Sequence, residues 1–180
     1  CPEITIIQSA NRLLPSFPEN ISQLAAKRLK ELGILLMFGR RVKEVHKSSL
    51  TLDNGEKRSF DRLFWTGGIA PHAVIEKLPA QKENGFLRVS ECLEVLSLKG
   101  EPYKEIFALG DASTVYDYEG KLIPWTAQKA IDEGGKIAHN LFRALSGNTI
   151  KVCVPQTVRF IIPVGGKWAI VKLNGITYAG

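Results

Sequence analysis

Ile106-Phe107-Ala108-Leu109-Gly110-Asp111 is the stretch that decides how the rest of this chain is read. Four apolar residues make a short strand, and the strand stops at a glycine followed by an aspartate. Ligands of open α/β sheets bind beyond the carboxyl ends of strands. A glycine there lets the backbone come close to a ligand, and an aspartate beside it accepts hydrogen bonds from a sugar hydroxyl. The same pair also ends many ordinary strands, so its neighbours must decide. Downstream, Pro124-Trp125-Thr126-Ala127-Gln128-Lys129-Ala130 opens a long helix, expected over Trp125 to Leu145. Proline suits the start of a helix. Ala127 and Gln128 fall in the first turn, where backbone amides have no intrahelical partner and can face a ligand. Gly134-Gly135 weakens the helix locally and predicts a bend or a close packing contact. Gly147 ends it.

Upstream, Ile4 to Gln8 is apolar and β-branched, as a buried strand requires. After Pro15 and Pro18, Asn20 is placed to cap a helix, with Gln23 three residues on in a capping-box arrangement. Ile21, Leu24, Ala25, Leu29 and Leu32 recur at helical spacing, and Gly33 is the expected stop. Ile34 to Phe38 is a second buried strand. Strand, helix, strand is the repeating unit of a parallel α/β sheet. Short strands follow at Arg41 to His46, Ser49 to Leu52 and Lys57 to Phe60. Asp53-Asn54-Gly55 is the turn between the last two, because Asn and Gly tolerate positive φ. Arg62 to Thr66 predicts a further strand ending at Gly67-Gly68. Ala70 to Leu78 predicts a short helix after Pro71, Phe86 to Val89 a strand, and Lys99 to Lys104 a polar loop. Two more strands are expected within Val152 to Lys172, around Pro163-Val164-Gly165-Gly166. The fold class is therefore α/β, a parallel sheet with helices plus a small antiparallel meander.

The 180 residues suffice for one domain or parts of two, and 44% hydrophobic with 23% charged residues indicates a globular chain. No apolar run reaches the ~18 residues of a membrane span. Cys1-Pro2-Glu3 leads straight into an apolar strand, with neither a Met nor a signal peptide, as expected of an excised segment. The net charge of +6 gathers at Lys27-Arg28, Lys30 and Arg40-Arg41. A solvated helix face is the plain interpretation; anionic headgroups or dinucleotide phosphates are the functional ones. No aromatic residues are interleaved with the basic ones, so nucleic acid is not expected as a partner. Cys1, Cys92 and Cys153 lie far apart, as do His46, His72 and His139. Their spacing fits neither a metal site nor a disulfide framework and suits a reducing compartment.

In order and spacing, the elements resemble the second half of the two-dinucleotide-domain flavoproteins, and most closely the type II NADH dehydrogenases of the pyridine nucleotide-disulfide oxidoreductase superfamily. The match runs through Arg12-Leu13-Leu14-Pro15, Glu31-Leu32-Gly33, Asn54-Gly55, Trp65-Thr66-Gly67-Gly68, Ile106 to Asp111 and Pro124 to Ala130. It covers residues 3 to about 147 well and the tail more loosely. The resemblance implies that residues 1–67 are the later part of an NAD(P)H-binding domain. Residues 68–147 would be the C-terminal part of an FAD-binding domain, and 148–180 the start of a C-terminal domain. Asp111 would bond the ribityl-phosphate part of FAD, with Gly110 permitting the approach. Ala127 and Gln128 would flank the isoalloxazine ring near the quinone site. Gly67 and Gly68 would line the nicotinamide cleft. The implied reaction is hydride transfer from NAD(P)H to the flavin, then electron transfer to a quinone. A cytoplasmic location, peripheral attachment to the inner membrane face (or its organelle equivalent) and a homodimer are implied in the same way.

Three departures qualify these expectations. Neither GxGxxG loop is present; in the family one would precede residue 1 and the other lie further upstream. The chain alone is therefore expected to bind FAD weakly or not at all. Gln8 stands at the strand end where NADH-using members place Glu. A carboxylate there bonds the adenosine ribose and repels a 2′-phosphate, and Arg12 is close in sequence, so tolerance of NADPH is expected. Asp132-Glu133 replaces a pair of glutamines, and an acidic pair there is expected to change quinone contacts or to recruit a different acceptor. Two alternatives stay open: a disulfide or peroxide reductase of the same superfamily, and a non-catalytic module that kept the fold. A sulfide:quinone reductase would need a reactive Cys near the flavin; Cys153 suits a buried strand better.

Overall fold

A computed structural model describes residues 2–153, 159–173 and 175–180. The chain divides into two compact units, one of residues 1–68, 162–170 and 178–180, the other of 69–161 and 171–177.

In the first unit, β1 (Thr5–Gln8) pairs in parallel with β2 (Leu35–Phe38), in register from Thr5 opposite Leu35 to Gln8 opposite Phe38. Helix α1 (Glu19–Glu31) connects them and packs on β2. The strand–helix–strand unit is thus present. Gly33, at φ 78°, closes the helix: its N–H donates to Lys30 O at 2.9 Å and that of Ile34 to Leu29 O at 3.0 Å. The helix start differs from expectation. Pro18 is the cap, and Asn20 and Gln23 both lie inside the helix. Gln23 Nε2 donates to Glu19 Oε1 at 3.3 Å instead of completing a capping box. Proline presets its own φ, so its carbonyl starts the helix before Asn20 is reached. Neither strand is buried as expected: no residue of β1 or β2 is fully covered, and Leu35 is 53% exposed. A sheet of two strands has no interior strand.

Strands β3 (Val42–Val45), β4 (Ser49–Leu52) and β5 (Lys57–Ser59) form the expected antiparallel meander. Leu50 and Leu52 alternate into the interior from β4, and Gly55 takes φ 84° at the turn. Arg62 to Thr66 is not a strand, in contrast to the expectation. Residues 61–70 are exposed throughout, and Phe64 and Trp65 are 85% and 62% open. Among the described residues no strand runs beside this segment, and an apolar run without a partner has no ladder to join.

In the second unit, α2 (Ala73–Lys77) starts at His72, whose Nδ1 accepts from Val74 N–H at 3.2 Å. Strands β6 (Lys82–Glu83) and β7 (Phe86–Arg88) form a hairpin through Asn84 (φ 50°) and Gly85 (φ 87°). This is the two-residue turn that Asn-Gly favours. Strand β8 (Glu94–Leu96) pairs antiparallel with β9 (Pro102–Phe107). The polar loop expected over Lys99 to Lys104 therefore ends before Pro102. The strand expected at Ile106 to Leu109 starts earlier and stops at Phe107. Its partner β8 holds residues as far back as Pro102, opposite Leu96. A 3-10 turn, Gly110–Ala112, leads into β10 (Ser113–Thr114), which runs parallel to β7. Ile75, Ala80, Leu87, Val95 and Ala108 form one apolar cluster; Leu93, Val115, Ile123, Ile137 and Cys153 form another.

Helix α3 (Ala127–Leu145) begins two residues later than expected. Thr126 is its cap, with Oγ1 accepting from Lys129 N–H at 3.1 Å. Trp125 stays outside because its indole N–H donates to Ser113 O at 2.9 Å and its ring tilts against Phe86, centroids 4.8 Å apart. The helix runs unbroken through Gly134-Gly135. Among the described residues no atom lies within 4 Å of a Cβ built on either, so the expected close contact is not found. Gly147 (φ 71°) ends the helix as expected. Cys153 is buried but belongs to no strand. Strands β11 (Phe160–Pro163), β12 (Ala169–Leu173) and β13 (Ile176–Ala179) form a three-stranded sheet in that order, one strand more than expected. Within the first unit, a Cβ on Gly165 would meet Leu32 Cδ1 at 2.8 Å, and the Arg28 guanidinium lies 5.7 Å from the Trp168 ring centroid. Residues 154–158, residue 174 and Cys1 fall outside the described residues.

Candidate functional site

The second unit brings Gly110, Asp111, Ala127 and Gln128 to one place. Gly110 sits in the left-handed region at φ 59°, and a Cβ added to it would lie 3.1 Å from the Ala130 Cβ. Only glycine lets this turn lie against the first turn of α3 without strain. Both ends of the Gly110 residue are held by α3. Its N–H donates to Glu133 Oε2 at 2.8 Å, and its carbonyl accepts from Lys129 Nζ at 3.3 Å. Lys129 Nζ and Glu133 Oε1 are 3.2 Å apart, with side chains only 4% and 3% exposed. Asp111 then points outward: it is exposed, and its carboxylate makes no hydrogen bond to the described residues. Ala127 and Gln128, the first two residues of α3, are also exposed. Their amides come before the first intrahelical acceptor, whereas the next one, at Lys129, is taken by Thr126. A closely approached glycine backbone, a free carboxylate and free helix-start amides suit a ligand carrying both hydroxyl donors and anionic or carbonyl acceptors.

Asp132 and Glu133 part company in the structure. Asp132 is exposed and accepts from Gln128 Nε2 at 3.1 Å. Glu133 is 2% exposed and is engaged inside the fold by Gly110 and Lys129. Of the acidic pair expected to change quinone contacts, Asp132 is thus the exposed member and Glu133 the buried one. Sequence reading missed this role, since only the i, i+4 spacing of Lys129 and Glu133 was visible.

In the first unit the carboxyl ends of β1 and β2 set Gln8 and Arg40 side by side: Arg40 N–H donates to Gln8 O at 3.3 Å. The Gln8 side chain folds back, its Oε1 accepting from Ala10 N–H at 3.4 Å. The Arg12 guanidinium is occupied by two carbonyls, Leu14 O at 3.3 Å and Pro15 O at 2.7 Å. Arg40, a residue to which the sequence assigned no specific role, is thus set beside Gln8 through its backbone, while its guanidinium donates to Gly39 O at 3.0 Å. Gly67 and Gly68 lie in the exposed segment after Trp65. Gly68 takes φ 79°, and Trp65 Nε1 donates to Gly67 O at 3.1 Å.

The Cys92 and Cys153 thiols are both shifted toward the protonated form. Burial, then the negative charges of Glu94 and Glu91, push the Cys92 thiol above its ordinary value. Burial, then Cys92 itself, pushes Cys153 up in the same direction. No group of three or more candidate metal ligands occurs among the described residues. A cavity of about 360 Å³ lined by Arg88, Glu91, Tyr116 and Tyr118 lies in the second unit. None of the predicted site residues lines it.

A parallel strand–helix–strand unit and a glycine turn set on a helix start define part of a dinucleotide-binding α/β oxidoreductase fold. The chain belongs to the pyridine nucleotide-disulphide oxidoreductase family, whose profile matches residues 1–134. It is 26% identical over 151 residues to a type II NADH:quinone oxidoreductase of Haemophilus influenzae, covering 84% of this chain and 33% of that protein. It is 33% identical over 144 residues to the mitochondrial internal alternative NAD(P)H-ubiquinone oxidoreductase A1 of Arabidopsis thaliana, covering 79% and 27%. Among solved structures, that of NDH2 from Plasmodium falciparum in complex with NADH superposes with a TM-score of 0.76 at 21% identity, covering 99% of this chain and 51% of that one. The chain thus spans a third or less of these two curated relatives and about half of the solved structure.

Proposed function

We propose that the chain is the later part of an FAD-dependent NAD(P)H dehydrogenase that delivers electrons to a quinone. The observation that carries this is the Gly110 turn, held on α3 so that the free Asp111 carboxylate follows it directly. Asp111 would accept hydrogen bonds from the ribityl-phosphate part of FAD, and the Ala127 and Gln128 amides would donate to ring carbonyls. When bound, the flavin supplies hydride acceptance from NAD(P)H and onward electron transfer. The residues present here bind and orient it. In this proposal residues 1–67 serve the nicotinamide nucleotide, with Gly67 and Gly68 at the nicotinamide and Gln8, Arg12 and Arg40 near the adenosine ribose. Residues 68–147 serve FAD, and 148–180 begin a C-terminal domain. Quinone as the acceptor draws on what the relatives are named for. Cytoplasmic placement on the inner face of a membrane and a homodimer belong to the same proposal. The contact in this proposal is peripheral; no helix among the described residues is long and apolar enough to cross a membrane.

The test is the absorption spectrum and NADH–quinone activity of the full-length protein. Flavin bands and quinone-dependent NADH oxidation are expected. A colourless protein without that activity would remove the proposal.

A further inference from the structure

The Lys129–Glu133 pair is a costly thing to bury. Desolvating two charges is repaid only when geometry and added hydrogen bonds are good, and an apolar pair of similar volume is often as stable. Here the added hydrogen bonds go to one residue: Glu133 Oε2 takes the Gly110 N–H at 2.8 Å, and Lys129 Nζ reaches the Gly110 carbonyl at 3.3 Å. The pair closes on itself at 3.2 Å. Ala130, between them on the helix, stands 3.1 Å from where a Gly110 Cβ would be. Three consecutive contacts from α3 thus fix a turn whose next residue is the exposed Asp111.

We propose that Glu133 and Lys129 are positioning residues that clamp the Gly110 peptide to α3 and so fix the direction of Asp111 relative to the helix-start amides. This deepens the FAD proposal above and rests on it. The clamp uses the direction of hydrogen bonds as well as charge, and that makes it separable from a plain structural ion pair. Glu133→Gln, made together with Lys129→Met so that no lone charge is left buried, keeps an acceptor of the same reach for the Gly110 N–H and loses the charges. Glu133→Asp keeps the charge and withdraws the acceptor by one methylene.

The experiment uses the full-length protein stripped of flavin. FAD is titrated in and followed by quenching of its fluorescence, and hydrogen exchange is measured on the peptide containing Gly110 without FAD. A clamp predicts that Glu133→Asp weakens FAD binding about tenfold and speeds Gly110 exchange by a similar factor, the order expected for losing a buried hydrogen bond to a charged acceptor. Lys129→Met with Glu133→Gln should lose clearly less than Glu133→Asp, about threefold, on both readouts, the loss of one weaker bond. The paired variant Lys129→Met with Glu133→Leu also leaves no lone charge buried, but it takes the acceptor from the buried Gly110 N–H, so it should match or exceed the Glu133→Asp loss on both readouts. If Lys129→Met with Glu133→Gln is more damaging than Glu133→Asp, or Gly110 exchange quickens with FAD affinity unchanged, the clamp is overturned while the flavin reading stands. If the Glu133→Leu pair does not fold, the order of Glu133→Asp and the Glu133→Gln pair still decides. A wild-type full-length protein that binds no FAD removes both proposals.

Discussion

Replacing Gly110 with Ala tests the site most directly, because its cost has two separable parts. The residue sits at φ 59°, where a side chain costs about 1–2 kcal/mol. The new Cβ would also stand 3.1 Å from the Ala130 Cβ, with the Ala130 Cα behind it at 3.9 Å. Overpacking of that kind costs about 1–3 kcal/mol more, so the total is about 2–5 kcal/mol. Gly120 is the matched control: its φ is 73°, yet no atom lies within 4 Å of its added Cβ. Gly120→Ala should therefore show the backbone part alone. Both substitutions restrict the unfolded chain equally, so that term cancels in the comparison. Ala130→Gly supplies the second half of the cycle. In the wild type it costs about 0.5–1 kcal/mol as a helix glycine, but in the Gly110→Ala background it should restore stability by opening the contact. Denaturant midpoints of the four variants, read in the flavin-free full-length protein, give the coupling. If Gly110→Ala costs no more than Gly120→Ala, and Ala130→Gly adds its full cost in both backgrounds, the turn is not packed on α3.

Three further outcomes are expected. Without a carboxylate at Gln8 and with Arg40 beside it, NADPH should be used, and a kcat/KM preference for NADH of several hundredfold, about 3.5 kcal/mol, would count against that; Gln8→Glu should move the ratio toward NADH. Residues 1–180 alone lack both glycine-rich phosphate loops, so a fluorescence titration of this chain should reveal no submicromolar FAD site, and finding one would overturn the expectation. Cys153 should resist iodoacetamide at pH 7.5 until the protein is unfolded, because burial holds its thiol protonated. The unfolded thiol ionises from about 9.0, while the folded one resists until higher pH. Its contribution to stability is therefore present below that value and lost as pH rises through the folded pKa; labelling faster than free cysteine at pH 7.5 would restore the sulfide:quinone reductase alternative.

What could be read from the sequence was what local chemistry decides. Gly33, Gly55 and Gly147 terminate elements because each must take positive φ, and that demand is written in the residue itself. Asn84-Gly85 carries the same signal, but β6 is only two residues long, too short to show alternation. Arg62 to Thr66 is a different case: a strand is a relation between two segments, and none of the described residues pairs with this one. Strand β9 was misplaced in the same way, since Lys104 and Glu105 look like loop residues until β8 is known to lie alongside. The start of α3 moved from Trp125 to Ala127 because a tertiary hydrogen bond, indole to Ser113 O, took Trp125 out of the helix.

The site divides along the same line. Gly110 and the helix start at Thr126 were legible, because a left-handed glycine and a hydroxyl cap are local devices. The use made of Glu133 was not. On a helix, Lys and Glu four apart look identical whether they are solvated, where the pair is worth a few tenths of a kcal/mol, or buried, where removing one partner costs several. Burial is decided by what packs over α3, and what packs there is the Gly110 turn. The residue that reads as glycine for close approach to a ligand is thus also glycine for close approach to Ala130. Both demands fall on one backbone position, so substitutions there lose the turn and the ligand together. Asp111, which the fold leaves free, is where loss of ligand binding without loss of stability is to be sought. Asp111→Asn in the full-length protein should weaken FAD binding while leaving the denaturant midpoint of the flavin-free protein unchanged, and an equal fall in both would make Asp111 a structural residue instead.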